Sequence, residues 1–209
     1  MDIINLWPTR IGVHQFDTSD GLDHRLRKLI LSKMDLTEAP VDQGERRLYG
    51  LFDMEEDCIQ QLASRIFEAV QTYLGPQACE MIDEIELSGR ALVIQDRAFI
   101  NTHVDRDEAD IVCTYFPTTD VNVDLPVNSK GNPTFVIEDP SRHLQEKRLP
   151  FEHRQSFFVA PRPGLLLVMP GHVPHNQHPY NAPSGEPHIQ IVANIKLTYS
   201  DEHYLLNHG

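Results

Sequence analysis

Ile100-Asn101-Thr102-His103-Val104-Asp105-Arg106-Asp107 is the stretch on which the fold turns. It sets an imidazole and a carboxylate two residues apart, at the end of a run with strand character. In an extended chain residues i and i+2 point to one face, so His103 and Asp105 can converge on a single metal ion. A helix would splay the same pair toward opposite sides. The spacing therefore predicts an extended segment and asks the rest of the chain for a third ligand.

On both sides of this stretch the texture is that of a sheet. Ile85, Leu87, Ala91, Val93 and Phe99 mark strands, as do 111–116, 134–137, 156–159, 164–169 and 189–197. Pro, Gly, Asn and Asp clusters separate them. Many short strands with turn-rich spacers predict a sandwich or barrel. Most of the 15 prolines fall in this half, where they punctuate strands because proline cannot donate to a ladder.

The first 80 residues read differently. Residues 3–16 suggest an extended entry segment. Asp20 can cap a helix carrying Leu22, Leu26, Leu29, Ile30 and Met34 at helical spacing. Residues 35–50, with Pro40, two glycines and several charges, read as a loop. A second helix is expected from about Met54 to Leu74, with Ile59, Leu62, Ile66, Val70 and Tyr73 on one face and Gly75-Pro76 as its stop. The expected architecture is a single domain over 1–209. It is mainly β with N-terminal helices: a helical part, about 1–80, packs on a β core of about 85–200.

The 209 residues carry 18 Lys and Arg against 31 Asp and Glu, a net charge of −13. That balance opposes a nucleic-acid backbone, whose binding is driven by basic side chains replacing counterions. Three widely spaced cysteines, Cys58, Cys79 and Cys113, form no disulfide framework and suit a reducing compartment. The N-terminus lacks the basic and apolar regions of a signal peptide, and the apolar run Leu165–Met169 is too short to cross a bilayer. A soluble cytoplasmic protein with no membrane or nucleic-acid partner is expected, and the sequence leaves monomer and homodimer both open.

The third ligand is sought in Pro170-Gly171-His172-Val173-Pro174-His175-Asn176-Gln177-His178, directly after an apolar strand. Any of its three histidines can meet His103 and Asp105. Two imidazoles and one carboxylate leave coordination positions open, as in non-haem Fe(II) oxygenases; zinc accepts the same donors.

The order of these features resembles the Fe(II)/2-oxoglutarate-dependent oxygenases. More narrowly, it is similar to a little-characterised bacterial and phage group of that superfamily. The residues carrying the resemblance are His103-Val104-Asp105, Phe135-Val136-Ile137-Glu138-Asp139-Pro140, Pro163-Gly164 through Pro170 to His175, and Leu6-Trp7-Pro8-Thr9-Arg10. The resemblance implies a double-stranded β-helix (jelly-roll, cupin-like) core. It also implies Fe(II) as cofactor, with His103, Asp105 and His175 as ligands and catalytic centre. The reaction it implies is oxidative decarboxylation of 2-oxoglutarate, coupled to hydroxylation of a small-molecule or peptide substrate. His172 then falls where it can line the pocket, and His178 on the surface. Asn101, Asn176 and Gln190 are candidates to orient the imidazoles.

One position departs from the family pattern. Where the group reads Arg-Ile-Ser-Ile, with the Arg holding the distal carboxylate of 2-oxoglutarate, this chain reads His188-Ile189-Gln190-Ile191. An imidazole is a weaker, titratable substitute for a guanidinium fork. His188, Gln190, Tyr115 and Lys196 are the cosubstrate-binding candidates, with Arg97 and Arg106 as further cations. The same departure supports an alternative: a cupin-like metal-binding protein without 2-oxoglutarate turnover. Loop 117–133 and a basic patch of Arg142, His143, Lys147 and Arg148 are candidate substrate contacts.

Overall fold

The computed structural model describes residues 9–34, 44–95, 97–117, 134–140, 156–179 and 186–199. The entry motif Leu6-Trp7-Pro8, nearly all of loop 117–133 and the basic patch around Arg142 lie outside them. The described elements are β1 (Gly12–Gln15), α1 (Leu22–Lys33), β2 (Glu45–Tyr49), a 3-10 turn (Leu51–Asp53), α2 (Asp57–Leu74), α3 (Pro76–Cys79) and β3 (Ile82–Ile94). They continue with β4 (Ile100–His103), β5 (Ile111–Phe116), β6 (Phe135–Glu138), β7 (Ser156–Val159), β8 (Leu165–Pro170), β9 (His175–Gln177) and β10 (His188–Tyr199). Among the described residues no helix is long and apolar enough to cross a membrane.

The strands form two antiparallel sheets. The larger runs β1-β8-β5-β10-β3-β2 and the smaller β4-β9-β6-β7. Strands β3 and β10 pair from His188↔Ile94 to Tyr199↔Ile82, the longest ladder among the described residues. The strand pattern predicted a sandwich or barrel, and the two sheets form the jelly-roll arrangement that the family resemblance implied.

The larger sheet is buried on both faces. Its outer face meets α1 and α2: Leu22, Leu26, Ile30, Ile59, Leu62, Ile66 and Val70 pack with Cys113, Tyr115, Leu166, Val168, Ile191 and Ala193. The 3.6-residue spacing of these helical positions made both helices legible, and burying each such side chain contributes roughly 1.5–3 kcal/mol. Gly21, in the left-handed region, is the N-cap of α1 rather than Asp20, which precedes it and accepts the Leu22 backbone N–H through Oδ1 at 3.1 Å. The inner face meets the smaller sheet: Leu92, Ile94, Val112, Phe116, Leu165, Leu167, Met169 and Val192 pack with Phe135, Ile137, Val159 and Val173. Because β5 is buried on both faces, consecutive residues serve different layers, Tyr115 under the helices and Phe116 between the sheets.

The segment 35–50 corrects the sequence reading. Its last part, Glu45–Tyr49, is the edge strand β2, paired with β3 from Glu45↔Ile94 to Tyr49↔Arg90. Its charges disguised it: Glu45 and Arg47 share a face with Ile94 and Leu92 and look toward a polar cavity rather than a greasy core.

Two details of the interior have measurable consequences. Gly171 lies so close to the loop after β4 that a Cβ there would sit 2.0 Å from the Ala109 carbonyl oxygen. Gly171→Ala is expected to lower unfolding free energy by roughly 2–4 kcal/mol, read from a urea midpoint. His188 is completely buried, stacked on Phe116 at 6.0 Å, and burial pushes its imidazole down to about 3. The unfolded chain therefore binds this proton more readily than the native one. The contribution is fully present above the ordinary histidine range and is lost as pH falls toward 3. His188→Gln is expected to flatten the fall in melting temperature between about pH 7.5 and about pH 5, measured on the metal-free chain.

Candidate metal centre

The site is made by one strand pair. Strands β4 and β9 bring His103 directly opposite His175, while Ile100 opposes Gln177. Three steps on β4 match two on β9, so β4 carries an extra residue. Such an irregularity re-aims side chains next to functional sites. Here it turns His103 onto the face of His175, and the rings lie 4.3 Å apart between centroids.

Asp105 follows in the loop. Its backbone N–H donates to the Gly171 carbonyl at 2.8 Å, and the Gly171 N–H donates to the Asp110 carbonyl at 2.9 Å. The Asp105 carbonyl in turn accepts from the N–H groups of Glu108 and Ala109, at 2.8 Å each. The two ligand-bearing segments are thus stitched together through main chain on either side of Gly171.

One ligand atom from each of His103, Asp105 and His175 lies within 4.8 Å of the others. Asp105 and His175 are each 4% exposed, and His103 is half-buried. His103 Nδ1 is 2.8 Å from the Asn101 carbonyl and His175 Nδ1 is 3.0 Å from the Val173 carbonyl. A carbonyl can only accept, so both rings carry the proton on Nδ1 and turn the Nε2 lone pair inward. Burial first, and the neighbouring His103 second, push His175 down to about 4, so it is a neutral donor at neutral pH. Asp105 Oδ2 is buried with no hydrogen-bond donor among the described residues, and it lies 3.4 Å from His175 Nε2. A buried carboxylate oxygen without a partner is costly. A cation between the three groups would remove that cost, so the donors fit a divalent metal.

Arg90 completes the arrangement, and sequence reading missed it. Its guanidinium, 13% exposed, approaches Asp105 Oδ1 at 3.4 Å and Glu108 Oε2 at 2.8 Å, and Asn194 Nδ2 also donates to Glu108 Oε2 at 3.1 Å. Arg90 thereby engages one Asp105 oxygen and leaves the other to the centre. A cavity of about 320 Å³ opens beside His103 and Asp105, lined also by Glu45, Arg47, Arg90, Leu92, Phe99, Ile100, Asn101, Val104 and Glu108. A second cavity, of about 290 Å³, shares Arg47, Arg90 and Glu108 with it.

The other sequence candidates fall in varied places. Gln190 and His188 are buried on the inner face, where Gln190 Nε2 donates to Gln177 Oε1 at 2.6 Å and lies 3.2 Å from His188 Nε2. With its imidazole pushed down to about 3, His188 is neutral and brings no positive charge to a carboxylate. Tyr115 does not face the centre: it is buried in the helix-facing core, with its hydroxyl donated to Asp23 of α1. Lys196 shares the face of His188 but is exposed, eight residues further along β10, about 26 Å away in an extended strand. Arg106 is 70% exposed beside Asp107, and Arg97 is exposed. His172 is exposed and does not line the cavity. His178 is exposed and packs edge-on against Phe158. The Asn101 carbonyl, not its amide, orients His103, while the Asn176 amide donates to Glu138 and Thr102.

No family model matches the sequence, and no curated protein matches it. Solved structures do match. A prolyl-4-hydroxylase from Pseudomonas putida superposes with a TM-score of 0.61 at 15% identity, covering 90% of this chain and 92% of that one. HygX from Streptomyces hygroscopicus, solved with nickel, 2-oxoglutarate and hygromycin B bound, superposes at 0.60 with 14% identity, covering 89% and 83%. SnoN, a non-haem α-ketoglutarate-dependent epimerase from nogalamycin biosynthesis, superposes at 0.59 with 13% identity, covering 89% and 78%. The chain thus has the jelly-roll fold of the 2-oxoglutarate- and Fe(II)-dependent oxygenases.

Proposed function

We propose that this protein is a non-haem Fe(II)- and 2-oxoglutarate-dependent dioxygenase that hydroxylates a small-molecule or peptide substrate. The observation that carries this reading is the convergence of two imidazoles and one carboxylate, with ligand atoms within 4.8 Å of one another and one carboxylate oxygen buried without a hydrogen-bond partner among the described residues. Such a two-histidine, one-carboxylate face leaves coordination positions for a cosubstrate and O2. Bound there, Fe(II) would supply the oxidative chemistry that converts 2-oxoglutarate, O2 and a C–H bond to succinate, carbon dioxide and an alcohol.

The residues of the chain do the rest. His103 and His175 donate through Nε2, held in one tautomer by backbone carbonyls. Asp105 would hold the metal through Oδ2 and offset one of its charges, while Arg90 engages Oδ1. Leu92, Phe99 and Ile100 give the otherwise polar cavity an apolar patch of wall.

A second reading, a cupin-like metal-binding protein without 2-oxoglutarate turnover, is favoured by one observation: the neutral, fully buried His188 stands where the family pattern has a cation. Turnover separates the two. Succinate formed from 2-oxoglutarate with Fe(II) and O2 supports the dioxygenase; metal binding with no succinate supports the second reading.

Titration with Co(II) or Mn(II) under anaerobic conditions tests the centre itself. His103→Ala, Asp105→Ala and His175→Ala are each expected to weaken metal binding more than about 100-fold, and full retention in all three sinks the centre. Arg90→Ala is expected to weaken it by roughly 10–100-fold without removing a ligand, with partial recovery in Arg90→Lys. Unchanged affinity in Arg90→Ala would remove Arg90 from any role in holding Asp105.

A further inference from the structure

The cavity beside the metal centre contains a second built feature, on β2. Arg47 lines both cavities. Its Nε and Nη2 both donate to one oxygen of Glu45, whose side chain is 4% exposed. Its Nη1 meets a single partner among the described residues, the Tyr49 hydroxyl, at the long distance of 3.4 Å. A buried carboxylate thus grips one edge of the guanidinium and fixes its plane. The opposite edge is left with one weak, neutral contact, in a side chain that is 34% exposed. A planar fork held this way suits the paired oxygens of a carboxylate.

The other guanidinium of the cavity wall is paired, and two candidates elsewhere are engaged or distant. Arg90, which also lines the cavity, lies between Asp105 and Glu108. Arg27, on α1, pairs with Glu186, and Lys196 is exposed far along β10. The charge of the cavity points the same way. Its described lining sets three carboxylates, Glu45, Asp105 and Glu108, against two guanidiniums, Arg47 and Arg90. The balance is one negative charge, and a divalent ion at the centre turns it to one positive charge. The metal-loaded cavity therefore favours an anion, with Arg47 as the cation of its wall that no group of opposite charge covers on both edges.

Resting on the dioxygenase reading, the geometry points to Arg47 as the residue that receives the second carboxylate of a dicarboxylic 2-oxo acid, the keto-acid end of which faces the metal. The task that the family pattern places on the strand after the distal histidine is moved here to the edge strand of the larger sheet.

The test compares two ligands on the full chain loaded anaerobically with Mn(II). 2-Oxoglutarate and 2-oxovalerate share the keto-acid end and chain length, and differ in the distal carboxylate. The wild type is expected to bind 2-oxoglutarate roughly 10–100-fold more tightly, the scale of one charge-assisted bidentate contact. Arg47→Gln should bring 2-oxoglutarate to the 2-oxovalerate level while leaving 2-oxovalerate and Mn(II) affinities unchanged, and Arg47→Lys should keep part of the difference. Since Arg47→Gln strands a buried Glu45 carboxylate, the Glu45→Gln/Arg47→Gln double variant is measured beside it. Its Mn(II) affinity reports an intact centre. A preference for 2-oxoglutarate that persists in both variants overturns the assignment and leaves the dioxygenase reading standing. Metal binding with neither keto acid retained by the wild type overturns both.

Discussion

Everything at the centre depends on the pairing of two short strands. β4 and β9 contribute four and three residues, yet their register alone sets His103 across from His175. An in-step ladder would displace one imidazole to the other face, since side chains alternate with a period of two. The extra residue on β4 prevents that. The hydrogen bonds through Gly171 then lock the loop that carries Asp105 to the turn that precedes β9. Three ligands from two segments about 70 residues apart become one rigid unit, and the larger sheet with its helices is the platform behind it.

The electrostatics follow from where that unit sits. It lies at the rim of the space between the sheets, where Arg90 and Arg47 reach in from adjacent strands and Glu45, Asp105 and Glu108 answer them. Deeper in, the polar groups on the inner face are uncharged: His188, Gln190 and Gln177 bond to one another amid Phe116, Phe135 and Leu165. The charge is therefore concentrated at the opening. That division is what separates this chain from the family pattern that its motifs resemble.

Much of this was legible in the sequence, and the gaps have physical reasons. The helices announced themselves by 3.6-residue spacing. The strand character of 100–103 put His103 and Asp105 on one face, while the loop after Leu165–Met169 left three histidines open and only the family resemblance singled out His175. Strand β2 was hidden because Glu45, Arg46 and Arg47 look like a solvated loop, and the face that Glu45 and Arg47 line is itself polar. Tyr115 was assigned to the wrong layer because every residue of β5 is buried, which erases the alternation that would tell inside from outside. Lys196 has the right parity, but parity carries no information about depth along a 12-residue strand. Arg90 sits in a strand whose neighbours are apolar or small, and only the return of β10 and the loop to Glu108 gives it partners.

The groups that aim the two imidazoles are carbonyls of Asn101 and Val173. Because every amino acid brings the same carbonyl, the aim of these ligands is indifferent to side-chain identity at both positions. Many metal sites orient their histidines with carboxylates or amides, and one substitution erases the support. Here a substitution at exposed position 101 leaves the aiming carbonyl in place, and what constrains Val173 is the apolar core it fills rather than the ligand it aims. The information resides in backbone path, and its weak point is the single residue whose lack of a Cβ lets the two paths meet.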